Sequence, residues 1–453
     1  LKLSFDKGAS PLTSKAFVTH ALLLCGAFNQ FKTGWSFAKL ASAMVNKHPN
    51  KHSKIEIEFT KNVSVLHWSK HISQTLTPLE NNFYQGIEWG NIEYAFHSIL
   101  FYCFHHVLGG TPLNKTKQIL KKYNQVMLDK KQAYQFTLNS IWHQYSENLS
   151  SQKTLTSKLA GPKFNELVQV PELQKTNNVT TLFSYHMAKM TLAYLNNETL
   201  ESYSQFELAE PIAGSVVSLY HFTEFHFIAA LVLIRQIREE DSQELRNKVQ
   251  QYKELFALWS ENSPNNHKHK HLLIEAEWAS ILNKANAWQL YDEAIELARS
   301  NKFVHHLAIA QELAGQHWER LHKQEMALSY VRDSYQSYLS WGADAKAKQL
   351  LSSVPALQQS TVLKPNKRKK SAGEYSQVLD LASVLKASET LSGEVDLNAY
   401  LHRMLVIIME NAGAQQGALL LQTEGILNVE IAIGESIQPA SEQGLPYSII
   451  NFV

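Results

Sequence analysis

The feature that most constrains the fold is the regular placement of small residues in residues 303–345, where apolar positions recur at helical spacing. Gly315 lies on one predicted helix, and Ala327 and Ser334 lie on the next. Small side chains at such positions allow neighbouring helices to nest. Ala294 stands in the same frame, about one repeat length before Ala327, and a period of about 34 residues is typical of stacked helix pairs. The spacing therefore predicts a stacked-helix scaffold before it indicates any chemistry.

This spacing resembles the tetratricopeptide repeat, in which a small residue lets the first helix approach the second and aromatic residues fill the remaining gaps. The aromatic residues in the corresponding stretch are Trp318, Tyr330, Tyr335 and Tyr338. At about 34 residues per pair, about ten helix pairs would fill residues 1–354. We therefore predict a mainly α fold, with a tetratricopeptide-like α-solenoid over residues 1–354.

Composition places the chain among ordinary globular proteins. Hydrophobic residues make up 44% of its 453 residues and charged residues 19%. The 43 Lys and Arg residues nearly balance the 41 Asp and Glu residues, giving a net charge of +2, so we expect no nucleic-acid partner. The longest apolar run, residues 227–234, is far shorter than the roughly 20 residues of a membrane helix, so it predicts a core helix and no membrane span.

The two cysteines, Cys25 and Cys103, both lie in apolar helical runs. They are too few for a disulfide framework and are predicted to be buried thiols in a reducing compartment. No signal peptide opens the chain. Together these features predict a cytoplasmic location.

The N-terminal third contains two further helix crossings. A turn is predicted at residues 32–34, with Gly26 and Ala38 in the small-residue positions of a repeat. Gly86 is predicted to let two helices cross closely, and Gly90 to form the turn between them.

The helical period then fails over residues 145–180. Gly161, Pro162 and Pro171 in this stretch predict an irregular connection. Helices resume beyond it, and a break is predicted at residues 264–266.

The pattern changes near the C-terminus. Residues 355–377 are polar and basic and are predicted to be a solvated linker, with nuclear targeting or phospholipid contact as alternatives. Residues 378–453 contain two predicted helix faces, the second with Asp396 as its N-cap, followed by strands at 417–422 and 427–433. Two strands cannot bury a face independently. We therefore expect a truncated α+β domain and a chain that is part of a longer protein.

Taken in order, these stretches resemble a family of large bacterial signalling kinases. Its members join a serine/threonine kinase, a predicted P-loop ATPase, a tetratricopeptide-like array, a GAF sensor and a histidine kinase. The positions that resemble the middle of that array are Trp68, His71, Pro78, Leu79, Gly86, Glu88, Gly90, Glu93, Tyr94 and Ala95. Further similar stretches are residues 220–222, 272–277 and 310–345 in the array, and 381–417 and 445–453 at the start of the GAF domain.

The resemblance implies that residues 378–453 are the N-terminal part of a GAF domain and that ATP is used by other modules of the parent protein. The chain has no recognisable phosphoacceptor box, kinase catalytic loop or Walker motif, so no catalytic residue is carried over and no enzyme activity is expected in this stretch. The implied role is a non-catalytic scaffold and regulatory relay that couples an ATPase or kinase module to a GAF sensor and histidine kinase in signal transduction. The alternative is a freestanding peptide-binding adaptor whose GAF piece assists dimerisation.

Two stretches carry residue types that bind phosphate or metal. Residues 109–116 end in Lys-Thr as a phosphate loop does, but Asn114 replaces the second glycine and Pro112 removes an amide donor, so a helix–helix loop is predicted. His267 and His271 share one helix face, as two zinc ligands would. No carboxylate or cysteine stands nearby in sequence, so a polar helix start is predicted instead.

Cys103, His105 and His106 raise the same question. Adjacent histidines point to different sides of a helix, which argues against a common ligand set. His305 and His306 are predicted to mark a repeat boundary. We therefore predict no metal ligand and no catalytic residue, and the cofactor-binding residues stay unknown. The expected partners are another protein or neighbouring modules of the same chain, with a small GAF ligand and a homodimer left open.

Overall fold

The computed structural model describes residues 11–47, 50–354, 356–357, 402, 405–406, 409, 417–423 and 426–433. Contacts divide the chain into two compact units, Leu1–Lys364 and Pro365–Val453. The mainly α prediction is confirmed. Within the described residues, seventeen α-helices and three 3-10 helices lie in the first unit, and two β-strands lie in the second.

The α-helices follow one another with short connections in most places. In chain order they are α1 (Pro11–Gly26), α2 (Phe31–Lys47), α3 (Lys51–Ser64), α4 (Leu76–Glu88), α5 (Ile92–Leu108), α6 (Leu113–Asp129), α7 (Ala133–Ser150), α8 (Glu166–Lys175), α9 (Val179–Leu195), α10 (Thr199–Ala209), α11 (Tyr220–Glu239), α12 (Gln243–Asn262), α13 (Pro264–Ile281), α14 (Ala287–Ser300), α15 (Val304–Arg320), α16 (Gln324–Trp341) and α17 (Asp344–Ser353). The 3-10 helices are Leu66–Trp68, Ile72–Thr75 and Glu210–Val216.

The helices of the first unit form two layers. Each odd-numbered helix from α1 to α13 contacts the next odd-numbered helix, so that α1, α3, α5, α7, α9, α11, α13 and α15 form a continuous inner layer. The even-numbered helices contact chiefly the helices that precede and follow them in sequence. They therefore cover the inner layer from outside.

The outer helices bury one face, whereas the inner helices are buried on most sides. The outer helix α12 buries a stripe of residues three or four positions apart, including Val249, Tyr252, Phe256 and Trp259. The inner helix α11 is buried almost all round, because it contacts α12, α9, α13 and α5. The predicted core helix at residues 227–234 lies within α11, as expected. Among the described residues, no helix combines the length and apolar character needed to cross a bilayer.

Helices far apart in sequence also meet: α5 contacts α11 within the inner layer, and α7 of that layer contacts α17. Hydrogen bonds connect residues that are far apart in sequence. The Asn266 side-chain amide donates to the His67 carbonyl over 2.7 Å, and the Lys346 ammonium donates to the Leu195 carbonyl over 2.6 Å. These contacts bury much of the face that would otherwise form an open concave surface.

Two of the predicted small-residue crossings are confirmed. A Cβ atom at Gly86 would lie 2.8 Å from the Ala95 Cβ, and a Cβ atom at Gly315 would lie 2.6 Å from the Val331 Cγ2. The helix pairs α4–α5 and α15–α16 can therefore approach this closely only where one partner lacks a side chain. Gly90 adopts a φ of 77° in the turn after α4, which suits glycine.

The small residues near the N-terminus act differently from the prediction. Gly26 does not lie at a crossing of two consecutive helices. Its Cα lies against Ser218, which precedes α11. The predicted turn at residues 32–34 is wrong, since α2 already begins at Phe31. Gly34 instead lies inside α2 and faces Cys25 of α1, so it is the residue that allows these two helices to cross.

The predicted irregular stretch is shorter than expected. α7 continues to Ser150, α8 occupies Glu166–Lys175 and α9 begins at Val179, so only residues 151–165 and 176–178 of this stretch lack a helix. α8 contains Pro171 in its interior, and its start is capped. The Asn165 side chain accepts the Leu167 N–H, and the Glu166 carboxylate accepts the Leu159 N–H. The predicted break at 264–266 is also too long. Pro264 opens α13, where its missing N–H leaves no helical bond unmade.

In the second unit, β1 (Gly417–Thr423) and β2 (Ile426–Ile433) form an antiparallel pair, which confirms the two predicted strands. Gly417 pairs with Ile433 and Thr423 with Ile426, with a register shift after Leu419. Most of the predicted linker, the Asp396 cap and residues 445–453 lie outside the described residues. The GAF assignment therefore stays a prediction.

Replacing Gly86 with alanine tests the helix crossing. Neither Ala95 Cβ nor the nearby backbone can rotate away from the added methyl group. Because overpacking of this kind costs about 1–3 kcal/mol, we expect G86A to lower the urea midpoint of unfolding. The matched control is Gly214→Ala, since no atom lies within 4 Å of the added carbon. Equal midpoints for the two variants would contradict the close crossing.

Candidate functional site

A buried cluster of charged and histidine side chains lies where α11, α13 and α15 meet. Glu224 accepts a hydrogen bond from the Lys270 ammonium and lies 3.2 Å from the Nε2 of His306. All three residues are almost completely buried. Lys270 also donates to the Tyr220 hydroxyl over 3.1 Å. Burial lowers the pKa of Lys270, and the Glu224 carboxylate opposes that shift.

Two more histidines adjoin this cluster. The Nε2 of His269 lies 2.9 Å from the Nδ1 of His306, and the ring centroids of His305 and His306 lie 3.7 Å apart. Burial brings the pKa of each of these histidines well below its ordinary value, so the rings are neutral at pH 7. A neutral His306 can donate from Nε2 to Glu224 and accept at Nδ1 from His269. The three helices are thereby joined by one chain of hydrogen bonds.

The cluster also contains donor atoms of a kind that metals bind. Ligand atoms of Glu224, His305 and His306 lie within 4.8 Å of one another, in the described part of the chain. However, the Lys270 ammonium already occupies the Glu224 carboxylate and would repel a cation there. The geometry therefore favours a structural network, and the expected absence of a metal stays a prediction. The predicted repeat boundary at His305–His306 corresponds to the first turn of α15.

The predicted polar helix start at His267 is wrong. His267 is fully buried, with its ring 5.6 Å from that of Trp68 and 6.0 Å from that of Trp259. α13 belongs to the inner layer, and its first turn packs against the segment around His67 through Asn266. His271 on the same face is only half-buried.

Cys103 faces the core, as predicted, and burial raises the pKa of its thiol. The two histidines that follow it bond in different directions. The Nδ1 of His105 lies 2.6 Å from the Thr75 hydroxyl, and the Nδ1 of His106 lies 2.9 Å from the Thr111 hydroxyl. These separate partners agree with the prediction that the three residues do not form one ligand set.

The phosphate-loop-like stretch has the predicted position between helices. Residues 109–112 connect α5 to α6, and Asn114 and Lys115 already belong to α6. Gly110 has a φ of 73°, and its Cα lies directly against the ring of His305. The loop therefore packs against α15.

A second buried ion pair, between Lys346 and Glu312, connects α17 with α15. The Lys346 ammonium lies 2.7 Å from the Glu312 carboxylate, which also accepts a hydrogen bond from the Tyr338 hydroxyl over 2.6 Å. Because Lys346 also donates to the Leu195 carbonyl, the network connects α15, α16 and α17 with α9. Sequence analysis did not identify this pair, since its two charged residues lie on different helices, 34 positions apart in sequence.

A surface groove of about 610 Å³ is here called the arginine groove. It lies where the C-terminal ends of α11, α13 and α15 come together. Its charged and aromatic lining residues include Arg238, Arg246, Lys284, Trp288, Trp318 and Arg320. Sequence analysis missed this groove, because its residues come from five helices and their connections.

The arginine groove carries an excess of positive charge. Arg238 and Arg320 both approach Glu277, at 3.2 and 3.8 Å, and Arg246 pairs with Asp241 at the surface. Burial would raise the pKa of Glu277, but the two arginines and a Tyr291 hydrogen bond bring it below its ordinary value. Two carboxylates thus face four cationic side chains, counting the exposed Lys284. Guanidinium groups bind carboxylates and phosphates in a bidentate geometry.

Comparison with known proteins links part of the chain to a signalling kinase. No protein-family model matches the chain. Over 126 residues it is 23% identical to the hybrid signal transduction histidine kinase G of Dictyostelium discoideum. The matched region is 27% of this chain and 4% of that protein, so the chain spans only a small share of the relative's length.

The buried histidines predict a distinct dependence of stability on pH. Burial lowers the pKa of His67, His106 and His226 from 6.5 to about 4. Between these two values the unfolded chain binds protons that the folded chain does not. Stability is therefore fully present above about pH 6.5 and falls as the pH drops towards 4, by up to about 3 kcal/mol for a fully buried histidine.

Urea unfolding at about pH 7.5, 6 and 5 measures this loss. We expect His226→Phe to reduce the slope of stability against pH, because it removes one of the groups that only the unfolded chain protonates. A stability that stays constant from about pH 7.5 to 5 would contradict the burial of these rings in neutral form.

Proposed function

We propose that this stretch is a non-catalytic scaffold and regulatory relay within a multi-domain signalling kinase. In this proposal the first unit is a tetratricopeptide-like α-solenoid, and the second is the N-terminal part of a GAF sensor. The relay connects an ATPase or kinase module to that sensor and to a histidine kinase. The similarity to a hybrid histidine kinase supports the signalling context.

The alternation of layers supports the solenoid. Inner helices contact their second neighbours in sequence, while outer helices pack against adjacent helices. This is the contact pattern expected when helix pairs stack, since each pair touches mainly the pairs beside it. Gly86 on the outer helix α4 and Gly315 on the inner helix α15 each allow a close crossing with the helix that follows.

The observation that carries the relay is the network of buried polar contacts that joins distant parts of the first unit. Lys346 is fastened to Glu312 and Leu195, and Asn266 to His67. Of these contacts, the buried ion pair between Lys346 and Glu312 costs about 3–5 kcal/mol to break when one partner is removed. A displacement at one end of the unit is therefore transmitted through the packed helices, because bending within the unit would break such contacts.

The arginine groove is the proposed contact site for a neighbouring module or partner protein. Its excess of cations fits an acidic peptide segment, whose carboxylates the arginines can bind. The ring of Trp288 is 41% exposed, so it offers an apolar surface beside these charges. A volume of about 610 Å³ is sufficient for several side chains of such a segment.

The same groove is the observation that favours the alternative function, a freestanding adaptor that binds peptides. The two functions differ in what the complete reading frame encodes. A Walker motif upstream and a phosphoacceptor histidine downstream favour the relay. Stop codons close to both ends favour the adaptor.

Charge reversal in the groove tests the relay. In the full-length parent, Arg246→Glu combined with Lys284→Glu should change the rate of autophosphorylation several-fold, because it repels the acidic segment that we propose binds there. Arg246 pairs only at the surface and Lys284 is exposed, so folding should be retained. The matched control reverses two exposed lysines outside the groove, Lys121→Glu with Lys175→Glu.

An autophosphorylation rate that is the same in the groove variant and the wild type would contradict the role of the groove. Deletion of residues 376–453 tests the other end of the relay. If the deleted protein gives an unchanged signal response, the proposed coupling to the GAF domain is wrong.

A further inference from the structure

A second cavity, distinct from the arginine groove, lies within the inner layer. Its volume is about 360 Å³, and its walls come from α1, α3, α5, α7, α9 and α11 together with the segment around Val216. Aromatic rings and aliphatic side chains form much of its lining, among them Phe59, Phe101, Phe104, Leu138 and Leu219. This size lies within the range of small-molecule sites.

His221 forms part of the cavity wall, and its ring makes no hydrogen bond. It is 1% exposed, and neither ring nitrogen has a hydrogen-bond partner. Its ring packs against those of Phe104, Phe101 and Trp142, at centroid distances of 4.6, 5.8 and 6.1 Å. Burial lowers the pKa of His221 to about 3, so the ring is neutral and presents one donor and one acceptor.

Buried polar groups in native proteins nearly always have partners, because an unpaired group loses its hydration without compensation. Some buried histidines of the inner layer have a partner, such as His105 with Thr75 and His306 with Glu224. His267 also lacks one at both ring nitrogens, but it does not line the cavity. His221 lies beside a cavity and lacks such a partner. A molecule in the cavity that carries a hydroxyl or carbonyl group would supply it.

The charges around the cavity restrict what such a molecule can be. The lining includes no lysine or arginine among the described residues, and its carboxylate, Glu93, would repel an anion. Burial lowers the pKa of His97, a further lining residue, so this ring does not supply a cation at pH 7. The remaining polar groups are hydroxyls, including those of Tyr94 and Ser184. These properties favour an uncharged molecule.

We propose that this cavity binds a neutral, largely aromatic small molecule whose hydroxyl or carbonyl group forms a hydrogen bond with His221. The rings of Phe59, Phe101 and Phe104 provide the apolar contacts. This site goes beyond the relay, because it makes the helical unit itself a receptor for a ligand. Since the walls include α5, α7 and α11, and α5 contacts α11 across the inner layer, an occupant would bridge helices that are far apart in sequence.

Three probes test the proposal on the purified 453-residue chain. Two of them, 4-ethylphenol and ethylbenzene, are matched and differ by one hydroxyl group. The third, benzoate, is the charged control. We expect 4-ethylphenol to raise the melting temperature and to show saturation transfer in ligand-observed NMR, because a ligand of the folded state stabilises it. Benzoate should produce neither effect.

The variant His221→Phe retains the ring and removes both nitrogens. It should weaken 4-ethylphenol binding relative to ethylbenzene by about tenfold, since a site that bonds a hydroxyl group discriminates against the analogue that lacks one. A second variant, Ser184→Leu, should weaken both probes by narrowing the cavity, and it decides the question if His221→Phe does not fold. Ser184 is buried on α9 and lines the same wall.

Three results would overturn the proposal. The first is that the wild-type chain binds none of the probes. The second is that benzoate binds as tightly as 4-ethylphenol. The third is that the His221 and Ser184 variants both bind the probes as the wild type does. None of these results depends on autophosphorylation, so the receptor site and the relay can fail independently.

Discussion

Burial of the inner helices on nearly all sides is the constraint on which the rest of the structure depends. A helix such as α11, covered by neighbours in both layers, has no solvent-facing stripe on which to place its polar residues. Glu224 therefore requires Lys270 and His306, which come from α13 and α15. The polar contacts that satisfy burial are the same contacts that specify how these helices pack.

This constraint also limits where the molecule can interact with others. Contacts from α5 to α11 and from α7 to α17 bury inner surface that an open array would present to a peptide. The arginine groove at the helix ends is instead accessible, cationic and partly aromatic. The inner cavity beside His221 has no cationic lining residue among those described, so the two sites suit different classes of partner.

Some features could be predicted from sequence because they depend on neighbours along the chain. Gly86 and Gly315 lie at crossings between consecutive helices, where helical spacing alone identifies the partner. Cys103 lies on an apolar face that the period reveals, and the two C-terminal strands follow from alternation and a short turn. Gly26 was misplaced because its contact, Ser218, lies far away in sequence. His267 was misjudged for the same reason, since Trp68, which packs against its ring, lies far away in sequence.

The sequence by itself determined that the first unit is helical, which residues allow adjacent helices to cross, and that a strand pair follows. Helical period and small-residue spacing are local properties, so they can be identified from the sequence without knowledge of the fold. Only the tertiary structure decided which polar groups meet and which remain without partners. Packing of the helices brings Glu312 to Lys346 and surrounds His221 with aromatic rings. Burial then gives these residues their chemistry, since a charge or ring nitrogen that is unremarkable in water requires a specific partner once the inner layer closes around it.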